Sequence, residues 1–306
     1  MRMLIIGAGA MGGYFGARLA QAGRDVTFLL RPARAAAVRE HGLRVSSPHG
    51  DFVVRPRVIE AAEVRPDYDA VLVAVKAFGL EAALDDAAPA VSPDTVLLPV
   101  LNGMRHIDRL VERFGASRVV GGVARIAGQL TDDGRILQMS PLHELIYGEL
   151  DGSNSARIRR LDEFLRGAGF DAVLSSRIRQ DLWNKWIMLA SLGGVTCLAR
   201  GSVGDIAATE GGAALVRGFV DECVAVASAS GQAPAPAVVD GILALLTANG
   251  SPLTSSMYRD LQAGLPVEVE QILGDLLVRG RGLGVAMPLT GAAHVQLAIH
   301  QRRIAG

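Results

Sequence analysis

Residues 3–12 read Met-Leu-Ile-Ile-Gly-Ala-Gly-Ala-Met-Gly. The first four residues predict a short buried strand, and residues 11–22 predict the helix that follows it. Glycines with this spacing, placed between a strand and a helix, are typical of a loop that binds the pyrophosphate of a dinucleotide. Gly7 permits the tight turn, Gly9 lets the backbone approach the phosphates, and Gly12 allows close packing of the helix on the strand.

The start of this helix is a second reason to expect a phosphate site. Its first N–H groups have no partner inside the helix and point towards the preceding loop, where they favour an anion. An ordinary strand-to-helix turn is the alternative interpretation of the same glycines. The residues that we expect to contact the dinucleotide are Gly7, Gly9, Ala10, Met11 and Gly12.

Short apolar runs alternate with helical segments through the first part of the chain, which predicts a parallel sheet with helices on both faces. Further strands are predicted near residues 26–30, 45, 52–54, 70–75, 95–100, 119–127, 135–139, 143–147 and 171–174. Between about 115 and 150 the strands are predicted to be antiparallel, around a turn at 131–134. From about residue 176 onward the pattern is almost wholly helical. We therefore expect an α/β fold with a doubly wound sheet domain over residues 1–172 and an all-helical domain over residues 173–306.

The overall composition excludes some classes of partner. The chain has 306 residues with 31 basic and 31 acidic side chains, so its formal net charge is zero. It has no block of like charges, whereas nucleic acids and membrane surfaces need a concentrated basic footprint. No apolar stretch approaches the roughly 20 residues that span a bilayer, and the N-terminal apolar run is too short for a signal peptide. We expect a cytoplasmic protein that binds neither nucleic acid nor membrane.

The cysteines and histidines do not form a pattern typical of a metal site. Cys197 and Cys223 each lie in an apolar stretch, which favours buried free thiols over a disulfide. The six histidines lack the spacing of zinc ligands, and the cysteines do not join them. We predict no metal.

The end of the second strand distinguishes between the two nicotinamide dinucleotides. An NAD site usually has an acidic residue there, about 20 residues past the glycines, which binds the ribose 2′-hydroxyl. Here residues 29–31 read Leu-Leu-Arg, and Asp25 lies at the opposite end of the strand. The guanidinium of Arg31 suits a 2′-phosphate, and Arg34, one helical turn later, is placed to assist. The sequence therefore favours NADP(H). The alternative is that Arg31 is only a solvated residue at the start of a helix.

Two polar residues follow buried strands of the predicted sheet. Lys76 follows the apolar run 71–75, and Asn102 follows the run 96–101. Taken singly, each is better explained as a solvated loop residue. Ligands of open α/β sheets, however, bind outside the carboxyl ends of the strands. Together the two residues therefore indicate contacts to the ribose of the cofactor or to a substrate.

The whole chain carries an ordered set of short motifs. They are Gly-Ala-Gly-Ala-Met-Gly at 7–12, Leu-Arg at 30–31, Val-Lys-Ala at 75–77, Leu-Asn-Gly-Met at 101–104, Trp-Asn-Lys-Trp at 183–186, Ser-Ser-Met-Tyr-Arg-Asp at 255–260 and Glu-Val-Glu at 268–270, with Gly274. In this order the set resembles the ketopantoate reductase (2-dehydropantoate 2-reductase) family. The resemblance implies an N-terminal Rossmann domain, a C-terminal helical domain and NADPH-dependent reduction of a 2-keto acid.

The resemblance also implies roles for individual side chains. Lys185 matches the catalytic lysine of the family, which protonates the developing alkoxide as hydride reaches the carbonyl carbon, a task that suits an ammonium group. Glu268 matches a glutamate that binds the substrate hydroxyl and helps to position the lysine, and Ser256 matches a serine that contacts the substrate. Lys76 and Asn102 match residues that touch both cofactor and substrate.

Without the resemblance, these residues also have ordinary structural explanations. Lys185 lies on an apolar, core-forming helix, where a lysine usually extends its amine to solvent. Ser255 and Ser256 resemble helix caps, and Glu268 resembles a first-turn acid favoured by the helix dipole. We interpret Asp260 as a supporting residue only.

The chain departs from the family at two positions after Lys185. The resemblance implies asparagines four and eight residues later, on one helix face, but Leu189 and Gly193 stand there. The next polar residue on that stripe is Thr196, about 16 Å along the helix. An apolar wall discriminates less strongly than a site built to hydrogen-bond a hydroxyl. We therefore expect either ketopantoate or a more apolar 2-keto acid as substrate, and the sequence leaves a place in pantothenate biosynthesis open.

Three functions are consistent with the sequence. The first is an NADPH-dependent 2-keto acid reductase. The second is another Rossmann dehydrogenase that acts on a 3-oxo or 3-hydroxy acid, against which the matches at Ser256 and Glu268 argue. The third is a protein that binds NADP without turnover, in which Lys185 and Glu268 would have no purpose. The apolar helices after residue 200 suit either a monomer core or a homodimer interface.

Overall fold

The computed structural model describes residues 1–305. Met1–Leu101 and His106–Arg179 form one compact unit, whereas Asn102–Arg105 and the chain from Gln180 onward form a second. The first unit contains the sheets, and the second is helical.

The strands of the described residues all lie in the first unit. They are β1 (Arg2–Ile6), β2 (Asp25–Leu29), β3 (Leu43–Ser46), β4 (Phe52–Val54), β5 (Arg57–Ile59), β6 (Ala70–Val73), β7 (Val96–Pro99), β8 (Val120–Leu130), β9 (Ile136–Glu149) and β10 (Asp171–Leu174).

The helices alternate with the strands at first and then follow one another. They are α1 (Ala10–Gln21), α2 (Pro32–His41), α3 (Leu80–Ala87), α4 (Arg105–Phe114), α5 (Ala156–Leu165), α6 (Ile178–Ala199), α7 (Val203–Ala207), α8 (Gly212–Ala229), α9 (Pro236–Leu246), α10 (Ser256–Gln262), α11 (Asp275–Gly282) and α12 (Pro288–Ala305). A 3₁₀ turn, Ala77–Gly79, directly precedes α3, and a π-helical turn, Glu270–Gly274, which we call the π-turn, directly precedes α11.

The first sheet is parallel throughout and has the strand order β5-β2-β1-β6-β7. Its central strands are apolar and buried on both faces, as expected for a sheet covered by helices. The chain order reverses between β1 and β6, which is the switch point where ligands of such sheets bind. The doubly wound Rossmann-type domain is therefore confirmed.

Helix α1 lies between the two sheets of the first unit. A Cβ atom at Gly16 would overlap Ile5 and Phe28 of the parallel sheet, and one at Gly13 would overlap Ile136 of the second sheet. The glycines therefore let the helix backbone approach both sheets more closely than any residue with a side chain would allow.

The second sheet is built around β9. This strand pairs antiparallel with β8 and parallel with β3 and β10, and β3 pairs antiparallel with β4. The strands predicted near residues 45 and 52–54 are confirmed, and they pair antiparallel. The turn at 131–134 is confirmed as well: Gly134 N–H donates to the carbonyl of Thr131 at 2.8 Å.

The prediction of separate strands at 135–139 and 143–147 was wrong, because both belong to β9. Between them, the register jumps from Gly128 paired with Gln138 to Ile126 paired with His143. The intervening residues therefore form a bulge, and it contains Pro141. A proline has no N–H to donate, so a bulge accommodates it without breaking the strand.

Two elements of the first unit were not predicted. The three-residue strand β5 pairs only with the edge of β2 and is too short for a periodic pattern. Helix α4 did carry a usable signal, since Ile107, Leu110, Val111 and Phe114 are apolar at helical spacing.

A buried polar cluster joins α1 to β9. The hydroxyl of Tyr14 lies 2.7 Å from Nδ1 of His143, and Nε of Arg18 donates to the same hydroxyl at 3.3 Å. The imidazole of His49 stacks on that of His143 with ring centroids 3.8 Å apart. Burial lowers the pKa of His143 most, and the charge of His49 lowers it further; the raising effect of Asp171 exceeds the lowering effect of Arg18.

In the second unit, helices α7, α9, α11 and α12 pack against α8. Phe219 of α8 fills the space beside Gly194 of α6. Cys197 and Cys223 are buried free thiols, as predicted, and burial raises the pKa of each to about 12. Both carboxylate oxygens of Glu222 accept backbone N–H groups at the start of α12, at 2.8 and 2.9 Å.

Neither a membrane span nor a metal cluster is found in the described part of the chain. No helix within residues 1–305 is long and apolar enough to cross a bilayer. Within the same residues, no group of three or more His, Cys, Asp and Glu side chains is arranged to hold a metal ion.

We predict that protonation of His143 destabilises the protein. Its folded pKa lies below the ordinary 6.5, so the unfolded chain binds this proton more tightly. The contribution of neutral His143 to the free energy of unfolding is fully present above pH 6.5. It falls as the pH drops towards the lowered folded pKa, by up to about 1.4 kcal/mol per pH unit. Urea denaturation between about pH 7.5 and 5.5 measures this slope. The slope should shrink in His143→Gln and persist in His41→Gln, an exposed histidine; equal slopes in wild type and His143→Gln would contradict the prediction.

Candidate active site

The glycine loop between β1 and α1 leaves open space above its middle glycine. Gly7 has φ +94°, and a Cβ atom at Gly12 would lie 2.8 Å from the methyl group of Ala74 and overlap the carbonyl of Gly7. Around Gly9, by contrast, a Cβ atom would meet nothing within 4 Å. The tight turn and the close packing therefore need Gly7 and Gly12, whereas the bare surface at Gly9 fits a group that approaches the backbone, such as a pyrophosphate.

The start of α1 faces the same space. Gly9 is the N-cap residue, and the first turn reads Ala-Met-Gly-Gly, without a carboxylate that would compete for an anion. Gly13 donates its N–H to the carbonyl of Gly9 at 2.9 Å. The N–H groups of Ala10, Met11 and Gly12 precede that first helical bond, so they have no acceptor within the helix, as at helix N-termini that bind anions.

Arg31 and Lys76 lie at the same edge of the parallel sheet. Arg31 is the N-cap residue of α2, just past the end of β2, and is exposed. Its Nη2 lies 3.6 Å from the Cβ position of Gly79, in the 3₁₀ turn that begins after Lys76. Lys76 is exposed, with its amine 5.8 Å from the ring centroid of Phe78. The structure therefore brings two predicted cations and an exposed aromatic ring together next to the switch point.

Arg34 has contacts that the sequence did not predict. Its guanidinium donates to the carbonyl of Ala8 in the glycine loop at 3.2 Å and to the carbonyl of Gly134 at 3.0 Å. Burial lowers the pKa of Arg34, and the nearby Arg44 lowers it further. Arg34 thus fixes the glycine loop against the turn between β8 and β9.

Asn102 groups with the second unit, although it follows a strand of the first. Its carbonyl accepts a hydrogen bond from the side-chain amide of Gln271 at 2.8 Å. The next residue, Gly103, has φ +77°, and a Cβ atom there would lie 2.5 Å from the carbonyl oxygen of Gln271. The Asn102–Gly103 segment is therefore packed directly on the π-turn.

Lys185 lies near the middle of α6 and is half-buried. Buried tryptophans flank it: Trp183 and Trp186 have ring centroids 4.9 Å apart. The indole N–H of Trp186 donates to the carbonyl of Ile272 in the π-turn at 2.9 Å.

Glu268 is half-buried and immediately precedes the helical residues that lead into the π-turn. Its carbonyl accepts the N–H of Ile272 at 3.1 Å. Three segments are therefore hydrogen-bonded to the same turn. Gln271 bonds the backbone of Asn102, Trp186 bonds the turn next to Lys185, and Ile272 bonds the backbone of Glu268.

The two neighbouring serines differ in their surroundings. Ser255 is 6% exposed, and its hydroxyl accepts the N–H of Tyr258 at 2.9 Å as the N-cap of α10. Ser256 is the first residue of that helix and is exposed. Of the two, Ser255 is the structural cap, whereas the hydroxyl of Ser256 remains accessible to a ligand.

The stripe that follows Lys185 on α6 is apolar in the structure. Leu189 is half-buried, and the methyl group of Met257 lies 2.7 Å from the Cβ position of Gly193. Thr196 is buried, with its hydroxyl 2.6 Å from the carbonyl of Leu192 and 3.0 Å from the hydroxyl of Ser255. Thr196 therefore does not restore a polar surface to the stripe.

Family models cover most of the chain. The model for ketopantoate reductase PanE/ApbA matches residues 3–152, and the model for the C-terminal part of the same family matches residues 177–301. The chain belongs to the ketopantoate reductase family. It is therefore an oxidoreductase that acts on CH–OH groups, and the cofactor of its family is NADP(H), which fits the bare glycine loop and Arg31.

Individual relatives extend over almost the full length. The chain is 32% identical over 301 residues to the uncharacterized oxidoreductase YkpB of Bacillus subtilis, covering 98% of this chain and 99% of the relative. It is 30% identical over 302 residues to 2-dehydropantoate 2-reductase of Mesorhizobium japonicum, covering 92% of each. The crystal structure of 2-dehydropantoate 2-reductase from Geobacter metallireducens superposes with a TM-score of 0.88 at 31% identity, over 98% of this chain and 99% of that one.

We predict opposite effects of alanine at Gly9 and at Gly12. Gly9→Ala should fold with nearly unchanged stability, because its Cβ meets open space, but bind NADPH at least about tenfold more weakly. Gly12→Ala should lose about 1–3 kcal/mol of stability through overpacking. Fluorescence titration with NADPH and urea denaturation measure the two effects. Unchanged NADPH affinity in Gly9→Ala would mean that the phosphates do not approach this residue.

Proposed function

We propose that this protein reduces the carbonyl group of a 2-keto acid with NADPH, with Lys185 as the general acid. The observation that carries the proposal is the attachment of three predicted site segments, those of Asn102, Lys185 and Glu268, to one π-turn. π-Helical turns of this kind occur frequently at functional sites.

The first unit holds the cofactor in this proposal. The N–H groups at the start of α1 would hold the pyrophosphate, and the guanidinium of Arg31 would hold the 2′-phosphate. Lys76 contributes a second cation at the same edge of the sheet. Bound NADPH supplies the hydride for the carbonyl carbon.

Lys185 supplies the proton. As negative charge develops on the carbonyl oxygen, its ammonium group stabilises that charge and then transfers a proton to it. Lys185 is half-buried on an apolar helix, where its charge acts more strongly on a substrate oxygen than it would in bulk water.

The remaining predicted residues orient the substrate. Glu268 binds the hydroxyl of the substrate and helps to position Lys185, and the accessible hydroxyl of Ser256 contacts the substrate. Asn102 and Lys76 contact cofactor and substrate. None of these roles requires a metal.

The apolar stripe after Lys185 determines which 2-keto acids are accepted. Leu189 and Gly193, with Met257 packed on the latter, offer no hydrogen bond to a polar substituent. We therefore infer a 2-keto acid with an apolar side chain as the preferred substrate, with ketopantoate as the alternative. A homodimer and a cytoplasmic location remain predictions.

NADPH oxidation against a panel of 2-keto acids tests the reaction. Replacement of Lys185 by alanine should lower kcat about 100- to 10,000-fold, the usual contribution of a general acid. Asn184→Ala, a half-buried residue on the same helix whose side chain bonds Gln180, should stay within about twofold and serves as the matched control. A loss of less than about tenfold in Lys185→Ala would exclude the acid role. Tight NADPH binding without turnover of any keto acid would instead favour a cofactor-binding protein.

The same panel tests the preference for apolar substrates. We expect kcat/KM for branched aliphatic 2-keto acids to equal or exceed that for ketopantoate. Leu189→Asn should shift the ratio towards ketopantoate by about tenfold, the effect of one added hydrogen bond. A clear preference of the wild type for ketopantoate would overturn the inference about the apolar stripe.

A further inference from the structure

We propose that Trp186 and Gln271 are positioning residues of the active site, which act through the π-turn. The proposal rests on the proposed 2-keto acid reduction. In this proposal, the π-turn holds the backbone segments of Asn102, Lys185 and Glu268 in a fixed arrangement.

The π-turn is a departure from regular helix geometry. Its hydrogen bonds skip one residue more than those of an α-helix, so that a carbonyl near the turn is left without a helical donor. The peptide groups of Ile272 are bonded on both sides: the N–H donates to the carbonyl of Glu268 at 3.1 Å, and the carbonyl accepts the indole N–H of Trp186 at 2.9 Å. Ile272 thereby links the backbone of Glu268 to the residue next to Lys185.

Gln271 makes the corresponding link to Asn102. Its side chain is 5% exposed, and its amide donates to the backbone carbonyl of Asn102 at 2.8 Å. The main chain of Gln271 also packs on Gly103, whose φ of +77° and lack of a Cβ permit that approach. A buried amide is costly to leave unsatisfied, so this bond restricts the Asn102 backbone to one position.

The outer side of the π-turn is held by a separate pair. Nε2 of His294 lies 2.9 Å from a carboxylate oxygen of Glu270, and both groups lie against Gly274, where a Cβ atom would overlap the carboxylate. A side chain at position 274 would therefore require the Glu270 carboxylate to move. Arg279, bonded to Asp275 at 3.1 Å, has its guanidinium 5.6 Å from the ring centroid of Trp186.

Catalytic groups need this kind of support, because a displacement of about 1 Å costs about 100-fold in rate even when the displaced group is chemically intact. Trp186 acts through Lys185 and Glu268, and Gln271 acts through Asn102. Neither side chain is assigned a contact with the substrate.

Two substitutions remove the donors: Gln271→Met nearly keeps the volume, whereas Trp186→Phe also leaves a small cavity, which its control Trp183→Phe matches. Trp186→Phe deletes the indole N–H, and Gln271→Met deletes the amide. We expect each to lower kcat for the best 2-keto acid about 10- to 100-fold, with the KM for NADPH changed less than about twofold and the melting temperature lowered by only a few degrees. Trp183→Phe is the matched control: it removes the indole N–H of the adjacent buried tryptophan, whereas the bond to Ile272 belongs to Trp186. It should keep kcat within about twofold of wild type.

A second comparison separates positioning from general destabilisation. If Gln271 acts through Asn102, then adding Gln271→Met to the Asn102→Ala variant should lower kcat by less than about twofold. A merely structural role would give additive losses. The proposal is overturned if kcat is unchanged in Trp186→Phe and Gln271→Met, if Trp183→Phe loses as much, or if the Asn102 and Gln271 losses add.

Failure of this proposal is distinct from failure of the proposed function. Absence of 2-keto acid reduction in the wild type would end the proposed function. Turnover in the wild type, with full kcat in both variants, would end the positioning role alone. If Trp186→Phe does not fold, Gln271→Met and its pairing with Asn102→Ala decide the outcome.

Discussion

The close approach of α1 to two sheets is the constraint on which the first unit depends. Gly12, Gly13 and Gly16 each face a neighbouring strand or loop at a distance that leaves no room for a side chain. Because the helix is held this tightly, its first N–H groups are fixed at the switch point of the parallel sheet. A phosphate group bound there meets donors that need no rearrangement, and the bond from Arg34 to the Ala8 carbonyl fixes the loop from its other side.

The sequence predicted the first unit well because its signals are local. The glycine motif, each buried strand and the arginine at position 31, where an NAD site usually has an acidic residue, are all read from a few neighbouring residues. The structure places Arg31 beside the turn after Lys76. The errors arose where pairing depends on distant residues. β9 is continuous because β8 pairs with it on both sides of the bulge that contains Pro141. This long-range pairing is not visible in the local sequence pattern.

In the second unit, the sequence proposed site residues but not the contacts around them. Lys185, Glu268 and Ser256 were proposed from motifs, whereas Trp186 and Gln271 resemble ordinary core residues. A π-turn has no established sequence signature, and its partners, Asn102 and Trp186, are distant in the chain. The two serines illustrate the same limit, since only the hydrogen bonds of Ser255 show which one is the cap.

The packing of Met257 on Gly193 constrains the order in which mutations at this wall can accumulate. Any side chain at position 193 must first displace the methyl group of Met257. A smaller residue at position 257 leaves a void until position 193 is filled. The effects of substitutions at the two positions are therefore expected to be non-additive.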